Sequence, residues 1–203
     1  MLFYGASGHA KVVRDCVLAN GKAVEALFDD NTDIIKLDDI PVIGSYRAEH
    51  KPEMELIVTV GDNLIRKKLV TKVKHTFSKA IVHPSAVVSS YATIGDGSVI
   101  MPAAIVNSGA EIGKHCILNS SALVEYDCTL GDFVHISPNV TVCSGSIVGE
   151  GTHIGAGATI IPNKKIGKWC VIGAGSVITQ DIPDYSMVVG IPGKIIKALV
   201  EKS

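Results

Sequence analysis

Residues 148–178 read VGEGTHIGAGATIIPNKKIGKWCVIGAGSVI, and every sixth residue of this stretch is Ile or Val. The same step of six continues upstream to Val82, so that all 17 positions from 82 to 178 are Ile, Leu or Val. A period of six fits neither a helix of 3.6 residues per turn nor a simple alternating strand. It predicts short strands joined by tight turns, three to a coil, stacked as a triangular prism with the aliphatic side chains inside.

Two further columns keep the phase of this repeat. Gly directly follows the aliphatic residue at seven positions, and a mostly small residue lies two positions before it. Three of the five cysteines, Cys116, Cys128 and Cys170, fall in the small-residue column, which favours a role as interior filler. The odd number of cysteines and the lack of a C-x-x-C pair argue against a disulfide framework or a zinc knuckle.

The overall composition excludes several classes of protein. The 203 residues carry 19 Lys and Arg against 20 Asp and Glu, which gives no electrostatic reason to expect a nucleic-acid or membrane-surface partner. The hydrophobic content is 47%, yet no apolar run approaches the roughly 20 residues that span a bilayer. The first residues, MLFYGASGHAKVV, also lack the apolar stretch of a signal peptide. We therefore expect a soluble, cytoplasmic protein.

Residues 1–80 follow a different pattern. The segments LFYGA, VEALFDD and ELIVTVGDN have the composition of short buried strands. Apolar residues at helical spacing follow the first and the last of these segments, namely Ala10, Val13 and Val17, and then Ile65, Leu69, Val70 and Val73. The alternation predicts a small three-layer α/β domain with a parallel sheet over residues 1–80, followed by a β-helix domain over 81–203.

The turn after the first segment, at residues 5–9, reads GASGH. Glycines between a strand and a helix N-terminus let backbone N–H groups approach a phosphate. Asp29 and Asp30 end the next segment, where a dinucleotide-binding fold places its ribose-binding acid. The complete G-x-G-x-x-G motif is absent and the unit has about half the length of a two-lobed NAD domain, so the pattern favours one nucleotide. A plain strand-to-helix turn is the alternative.

Both halves of the chain together resemble the sialic-acid O-acetyltransferase type of hexapeptide-repeat acyltransferase and its nucleotide-sugar relatives, which act on UDP-4-amino-sugars or GDP-perosamine. The resemblance spans nearly the whole chain and rests on YGASGHAKVV, LFDD, VGDNLIRKKL, IVHPSA, LVEYDCTLGDFVHISPN and VVGIPGK. It implies a β-helix of left hand, which the spacing alone does not show. It also implies that the N-terminal domain binds a nucleotide-sugar, that the β-helix binds acetyl-CoA, and that the chain forms a homotrimer with active sites between adjacent prisms.

Carried over residue by residue, the resemblance assigns two sets of ligand contacts. The nucleotide-sugar contacts map onto Ser7, Gly8, His9, Asp29, Asp30 and Gly61. The acetyl-CoA contacts map onto His135 and onto the backbone at Ala156 and Ala174, which lie 18 residues, or one coil, apart. The pairs Gly155-Ala156 and Gly173-Ala174 are also consistent with simple repeat filler.

The sequence departs from the family at its catalytic segment. That segment reads Glu-His-Asp/Glu-Cys in the family, with His as the general base, whereas here it reads Glu125-Tyr126-Asp127-Cys128. A histidine with a pKa near ~6.5 can accept a proton at pH 7, but a tyrosine with a pKa near ~10 is almost wholly protonated there. Tyr126 is therefore expected to be a poor base, although its hydroxyl can hydrogen-bond the substrate.

Three interpretations of this departure remain open. In the first, the protein is an acetyltransferase that uses His135 or Asp127 as the base, or that acts on an amine already deprotonated. In the second, it is a slow or inactive homologue, or a variant made to trap a complex. In the third, the residue at position 126 changed together with the substrate.

The closest motif match favours N-acetylation of a UDP-4-amino-sugar in surface-glycan biosynthesis. The alternatives are O-acetylation of a sialic-acid-like sugar and, because of Tyr126, a non-catalytic nucleotide-sugar binder. A zinc carbonic anhydrase of the hexapeptide type would need three converging histidines. His135 and His153 are 18 residues apart and should stack on one face, but His115 is out of that phase. We therefore expect no metal.

Overall fold

The computed structural model describes residues 1–200. The N-terminal part contains the strands β1 (Leu2–Tyr4), β2 (Ala26–Phe28), β3 (Lys36–Leu37), β4 (Ile40–Pro41) and β5 (Leu56–Val58) and the helices α1 (Gly8–Ala19) and α2 (Asn63–Val70). A parallel sheet forms in the order β2-β1-β5, and β3 pairs with β4 as a short antiparallel hairpin. This architecture confirms the predicted α/β unit with a parallel sheet.

Both faces of the parallel sheet are buried, because alternate side chains of each strand point to opposite sides. On one side Phe3, Leu27 and Ile57 pack in the same cluster as the apolar residues of α1. On the other side the sheet packs against Leu69 of α2 and against loop side chains. The carboxyl ends of parallel strands lie at one edge of a sheet, so the turns at residues 5–9, 29–30 and 59–61 come together there.

Helix α2 buries a different face from the one that its apolar residues predict. Leu69 is buried as expected, but Ile65 is 51% exposed and the adjacent Arg66 is only 1% exposed. The predicted apolar face was therefore wrong at Ile65. The physical reason is that hydrogen bonds from Arg66 to backbone carbonyls of the β-helix take the place of apolar packing.

From residue 81 onward the chain forms two-residue strands at a spacing of six. These are β6 (Ile81–Val82), β7 (Val87–Val88), β8 (Thr93–Ile94), β9 (Val99–Ile100), β10 (Ile105–Val106), β11 (Glu111–Ile112), β12 (Ile117–Leu118), β13 (Leu123–Val124), β14 (Thr129–Leu130), β15 (His135–Ile136), β16 (Thr141–Val142), β17 (Ile147–Val148), β18 (His153–Ile154), β19 (Thr159–Ile160), β20 (Lys165–Ile166), β21 (Val171–Ile172) and β22 (Val177–Ile178). An antiparallel hairpin of β23 (Ser186–Val189) and β24 (Lys194–Ala198) follows.

Every third strand belongs to the same parallel sheet, so three sheets form the sides of a prism. We name these sides face 1, which begins with β6, face 2, which begins with β7, and face 3, which begins with β8. Paired residues lie 18 apart, as in the series Ile117, His135 and His153. The coils match a left-handed β-helix of hexapeptide repeats with about six turns. The predicted fold is confirmed, and no helix interrupts residues 82–178.

The predicted aliphatic positions line the interior of this prism. They are buried at every step from Ile100 to Ile178, and the first three, Val82, Val88 and Ile94, are partly buried. The glycines that follow them allow the coils to stack closely. A Cβ added at Gly113 would lie 2.7 Å from the carbonyl carbon of Gly131 in the next coil.

Each corner between two faces contains one residue in the left-handed region of backbone space. These residues recur at a step of six from 97 to 175, with φ between +54° and +72°. The five that lie between faces 3 and 1 stack above one another. We name this set the corner ladder: Gly97, His115, Phe133, Gly151 and Trp169.

The N-terminal domain packs on face 1. Ile81, Val99 and Met101 of that face belong to the same buried cluster as α1. The sulfur of Cys16 in α1 lies 3.4 Å from the sulfur of Met101. This packing places the turns at the edge of the parallel sheet beside the β-helix.

Candidate active site

Arg66, on α2, joins the two parts of the chain. Its side chain is buried, and each of its five N–H groups donates a hydrogen bond to a neutral oxygen. The acceptors are the carbonyls of His115 (2.9 Å), Phe133 (2.8 Å), Val60 (3.0 Å) and Gly61 (3.0 Å) and Oδ1 of Asn63 (2.8 Å). Burial lowers the pKa of the guanidinium to about 10, so it stays charged at neutral pH. A buried charge with every donor satisfied is stable without a paired carboxylate.

Two neighbouring side chains of α2 extend this contact along the corner ladder. Nδ2 of Asn63 donates to the carbonyl of Gly151 at 3.0 Å. Nζ of Lys67 lies 2.5 Å from a carboxylate oxygen of Glu150 and 5.1 Å from the centre of the Trp169 ring. Together with Arg66, these residues tie α2 to four successive coils at one corner.

His135 lies on face 1 beside the turn that follows β5. Its Nδ1 is 3.3 Å from the carbonyl oxygen of Gly61. Its ring stacks on His153 of the next coil with ring centres 4.6 Å apart, which confirms the predicted stacking of these two histidines. Its Nε2 is buried and has no hydrogen-bond partner among residues 1–200. Burial, together with the nearby His153 and Arg66, lowers the pKa of His135 to about 3, so the imidazole is neutral at pH 7.

A cleft of about 970 Å³ opens between α2, face 1 and the C-terminal hairpin. His135 and His153 form its floor on face 1, and Lys67, Lys68 and Lys197 line it from α2 and the hairpin. Its volume is at the upper end of the range for small-molecule sites. The lysines favour a ligand that carries phosphate groups.

The predicted phosphate-binding turn lies at the N-terminus of α1. Ser7 is the N-cap residue, and its side chain makes no capping hydrogen bond among the described residues. Ser7 and Gly8 are exposed. The first N–H groups of a helix have no intrahelical acceptor, so this turn can donate to an anion from the backbone and from the Ser7 hydroxyl. Burial and the nearby Arg66 lower the pKa of His9 to about 4.

Asp29 and Asp30 support the same edge of the sheet from the end of β2. The carboxylate of Asp29 accepts from the backbone N–H of Ala6 (2.7 Å) and of Asn31 (2.8 Å). Asp30 accepts from the hydroxyl of Tyr4, which lies 3.0 Å from both carboxylate oxygens. Both acids therefore hold the turns in shape. A carboxylate has about four acceptor positions, so each keeps capacity for a ligand.

Tyr126 and Asp127 occupy the corner between faces 2 and 3, apart from the residues that line the cleft. Tyr126 is 54% exposed. Asp127 is the left-handed residue of its turn, with φ +57°. Its carboxylate lies over Gly109 of the preceding coil, where an added Cβ would approach Oδ1 to 2.3 Å. Within one chain, the predicted catalytic segment is thus separated from His135.

Ala156 and Ala174 lie one coil apart at the corner between faces 1 and 2, and both are exposed. The carbonyl of Ala156 accepts the N–H of Gly175 at 2.8 Å, so it already takes part in coil stacking. Neither alanine lines the cleft. Both follow face 1 directly, on the opposite border from the corner ladder.

The structure therefore brings Gly61 against His135 and gathers Ser7, Asp29 and the turn after β5 at one edge. It does not bring Tyr126 or Asp127 to that place in a single chain. Arg66 and Trp169, which shape the junction, were not among the residues predicted from the sequence. The only available signal was the segment VGDNLIRKKL, whose Asn63 and Arg66 are three residues apart and share a helix face.

No group of three or more His, Cys, Asp or Glu side chains in residues 1–200 is arranged to hold a metal ion. All five cysteines are free, and four of them are buried. Over the same residues, neither helix has the length and apolar character that crossing a membrane requires.

Each of the two parts of the chain matches a different family of known proteins. Residues 1–73 match the PglD N-terminal domain family, and residues 127–162 and 146–180 match the bacterial transferase hexapeptide repeat. A curated relative, UDP-N-acetylbacillosamine N-acetyltransferase from Bacillus subtilis (strain 168), is 37% identical over 104 residues. That alignment covers 47% of this chain and 48% of the Bacillus protein, which is about half of each.

Solved structures match over nearly the whole length. A variant of perosamine N-acetyltransferase from Caulobacter crescentus, in complex with CoA and GDP-perosamine, is 35% identical, with a TM-score of 0.91 over 97% of this chain and 96% of that chain. The acetyltransferase domain of PglB from Neisseria gonorrhoeae FA1090 is 36% identical, with a TM-score of 0.91 over 96% of this chain and 98% of that domain. The same domain has been solved with acetyl coenzyme A. The chain therefore belongs to the hexapeptide-repeat family of nucleotide-sugar N-acetyltransferases.

Proposed function

We propose that this chain transfers the acetyl group of acetyl-CoA to the amine of a nucleotide-linked 4-amino sugar, in the cytoplasm and in the service of surface-glycan biosynthesis. The amine nitrogen attacks the thioester carbon, a C–N bond forms, and the C–S bond breaks. The sulfur leaves with the electron pair, and the proton lost by the amine ends on the CoA sulfur. The products are the N-acetylated nucleotide-sugar and CoA with a free thiol.

The observation that carries this proposal is the contact between Gly61 and His135. Gly61 belongs to the edge of the parallel sheet that also carries Ser7 and Asp29, the expected nucleotide-sugar contacts. His135, an expected acetyl-CoA contact, lies on face 1. One expected nucleotide-sugar contact, Gly61, thus touches one expected acetyl-CoA contact, His135, which supports an arrangement in which two bound substrates meet for group transfer.

The protonation state of His135 defines its role in this proposal. Because its pKa is lowered to about 3, the ring is neutral at pH 7, so one nitrogen can accept a hydrogen bond but the ring is a poor proton acceptor. We assign it the orientation of the attacking amine or of the pantetheine amide. A departing thiolate, with a pKa near ~8.5, takes up the proton more readily than His135 does.

Assembly as a homotrimer would bring the remaining predicted residues to the site. Val87, Ile105 and Leu123 stack one coil apart on the outer side of face 2, and Val87 is 64% exposed. An apolar stripe of this kind favours burial against another copy of the chain. Tyr126 follows Leu123 by three residues, so packing through face 2 would place Tyr126 and Asp127 at the boundary with a neighbouring protomer.

The alternative is a catalytically impaired homologue or a non-catalytic nucleotide-sugar binder. Tyr126 favours it, because a phenol at the position of the family base is a weak proton acceptor at pH 7. O-acetylation of a sialic-acid-like sugar has less support, since the named relatives are N-acetyltransferases.

Turnover measurements distinguish these candidates. The purified protein is incubated with acetyl-CoA and a panel of UDP-, GDP- and CMP-linked amino sugars, and both thiol release and product mass are followed. The proposal predicts thiol release that depends on one nucleotide-sugar class, with acetylation of its amine. A binder would be stabilised against heat by a nucleotide-sugar without releasing thiol.

A further inference from the structure

We infer that Arg66 is a positioning residue, which fixes the tautomer and the orientation of His135 through the carbonyl of Gly61. The predicted effect of Arg66 on turnover rests on the proposed function. The predicted tautomer of His135 does not depend on that function. Arg66 lies outside every set of residues that the sequence assigned to ligands or catalysis. Its contacts nevertheless link the nucleotide-binding edge to the face that carries His135.

The Gly61 carbonyl determines which nitrogen of His135 carries the proton. A carbonyl oxygen only accepts hydrogen bonds, so the contact of 3.3 Å requires Nδ1 of His135 to carry the proton. The ring is neutral, which leaves Nε2 as a bare acceptor. That nitrogen is buried and unpartnered among the described residues, and the ring borders the cleft. The ligand-free protein therefore holds a desolvated, unpaired lone pair in a ring that borders the cleft.

Arg66 fixes the position of that carbonyl through hydrogen bonds. Nη1 donates to the carbonyls of Val60 and Gly61, both at 3.0 Å. The same guanidinium donates to the carbonyls of His115 and Phe133 on the β-helix. One rigid, planar group thus fixes the Gly61 oxygen relative to the coils that carry His135. Lysine has three donors on one atom and cannot reproduce this fork.

The register of the N-terminal domain along the prism determines that Gly61 lies opposite His135. Asn63 and Arg66 reach the carbonyls of corner-ladder residues at 115, 133 and 151, which are spaced by one coil. A shift of the N-terminal domain by one coil would move Gly61 past His135. The carbonyls repeat, so they do not by themselves select one register. Lys67 selects one register, because only that register places its ammonium group beside both Glu150 and, one coil further on, the Trp169 ring.

The test compares Arg66→Lys with the control Arg47→Lys, which changes an exposed arginine that donates to a carbonyl of its own domain. The protonated nitrogen of His135 is identified in the ligand-free protein by ¹⁵N-histidine NMR, with His135→Ala to assign the signal. The emission of Trp169, the one tryptophan of the chain, reports whether α2 remains docked. We expect only the Nδ1–H tautomer in the parent and in Arg47→Lys. In Arg66→Lys we expect a mixture of the two tautomers with shifted Trp169 emission.

Steady-state kinetics supply the second readout. We expect kcat to fall about 10- to 100-fold in Arg66→Lys while KM for acetyl-CoA changes less than about threefold, because positioning is lost and binding groups are kept. If Arg66→Lys does not fold, Asn63→Ala replaces it. This change leaves Arg66 in place but removes both the oxygen that accepts one Nη2 N–H and the Nδ2 donor to the carbonyl of Gly151, and it should give a smaller fraction of the second tautomer.

Two results would overturn the inference. One is an Nε2–H tautomer of His135 in the parent protein, and the other is an unchanged tautomer in a folded Arg66 or Asn63 variant. Neither depends on acetyl transfer, so the inference can survive if the proposed function fails. Conversely, normal acetyl transfer by a folded Arg66→Lys protein with an unchanged tautomer would remove the inference and leave the proposed function intact.

Discussion

Acidification from pH 8 to pH 5.5 should destabilise the fold through three histidines at the junction of the two domains, namely the buried His115 and the half-buried His9 and His135. Burial is the largest cause that lowers the pKa of His9 and His115 to about 4 and of His135 to about 3, and Arg66 contributes to all three. An unfolded histidine titrates near ~6.5. The unfolded chain therefore binds protons at pH values where these histidines stay neutral in the folded chain. Their contribution to the free energy of unfolding is fully present above about pH 6.5 and is lost as the pH falls.

The magnitude follows from the proton linkage. At pH 5.5 the protonated form of an unfolded histidine outnumbers the neutral form about tenfold. Each histidine that stays neutral in the folded chain therefore lowers the free energy of unfolding by about 1.4 kcal/mol. Three such histidines give about 4 kcal/mol, a large share of a typical folding free energy. Urea unfolding at fixed protein concentration, followed by Trp169 emission, measures this loss.

A matched variant, His115→Phe, isolates the share of one histidine. The His115 ring lies between Phe77 (ring centres 4.5 Å apart, edge-on) and Phe133 (5.3 Å, stacked). A phenylalanine fits the backbone there, because Phe133 has the same left-handed conformation in the same ladder. We expect this variant to lose about 1.4 kcal/mol less than the parent between pH 8 and 5.5. A urea midpoint that does not change with pH, or an equal loss in both proteins, would refute the reasoning.

Three further predictions concern the core and the ligand sites. Ile136→Ala should cost about 2–5 kcal/mol in urea unfolding, because Ile136 is fully buried in the prism, whereas Ile147→Ala, at a residue 41% exposed, should cost under about 1 kcal/mol. Asp29→Ala should weaken nucleotide-sugar binding in calorimetry and leave acetyl-CoA binding intact; equal loss of both would show that the site is misplaced. Tyr126→His should raise turnover near pH 7 by about tenfold or more, because the imidazole would have Asp127 beside it. A slower Tyr126→His enzyme would show that the tyrosine itself participates.

The β-helix could be predicted from the sequence because its period repeats. Each coil requires an aliphatic side chain at the positions that point inward. The aliphatic residues at every sixth position from Val82 to Ile178 therefore predict the fold directly. The glycine column has an equally local cause, since a Cβ at Gly113 would meet the backbone of the next coil. The coarse α/β order of the first part was predictable for the same reason, because strands and helices of this kind carry local apolar patterns.

The junction could not be predicted in this way. The buried surface of α2 includes Arg66, which any hydrophobic pattern assigns to solvent, because its partners are backbone carbonyls that leave no mark in the sequence. Gly61 and His135 are 74 residues apart, and no local rule places them together. The family resemblance predicts both as ligand contacts. It did not reveal that they touch, or that one arginine sets their geometry.

Acetyl transfer between two ligands that meet at His135 is tested most directly by a single-turnover experiment with labelled acetyl-CoA. The protein is mixed with acetyl-labelled CoA and a UDP-linked 4-amino sugar, and the label is followed by mass spectrometry in the parent and in His135→Ala. Our account predicts that the label moves to the sugar amine in the parent, and that His135→Ala retains nucleotide-sugar binding but transfers the label far more slowly. A parent protein that binds both ligands and never moves the label, or a His135→Ala protein that moves it equally fast, would contradict the account.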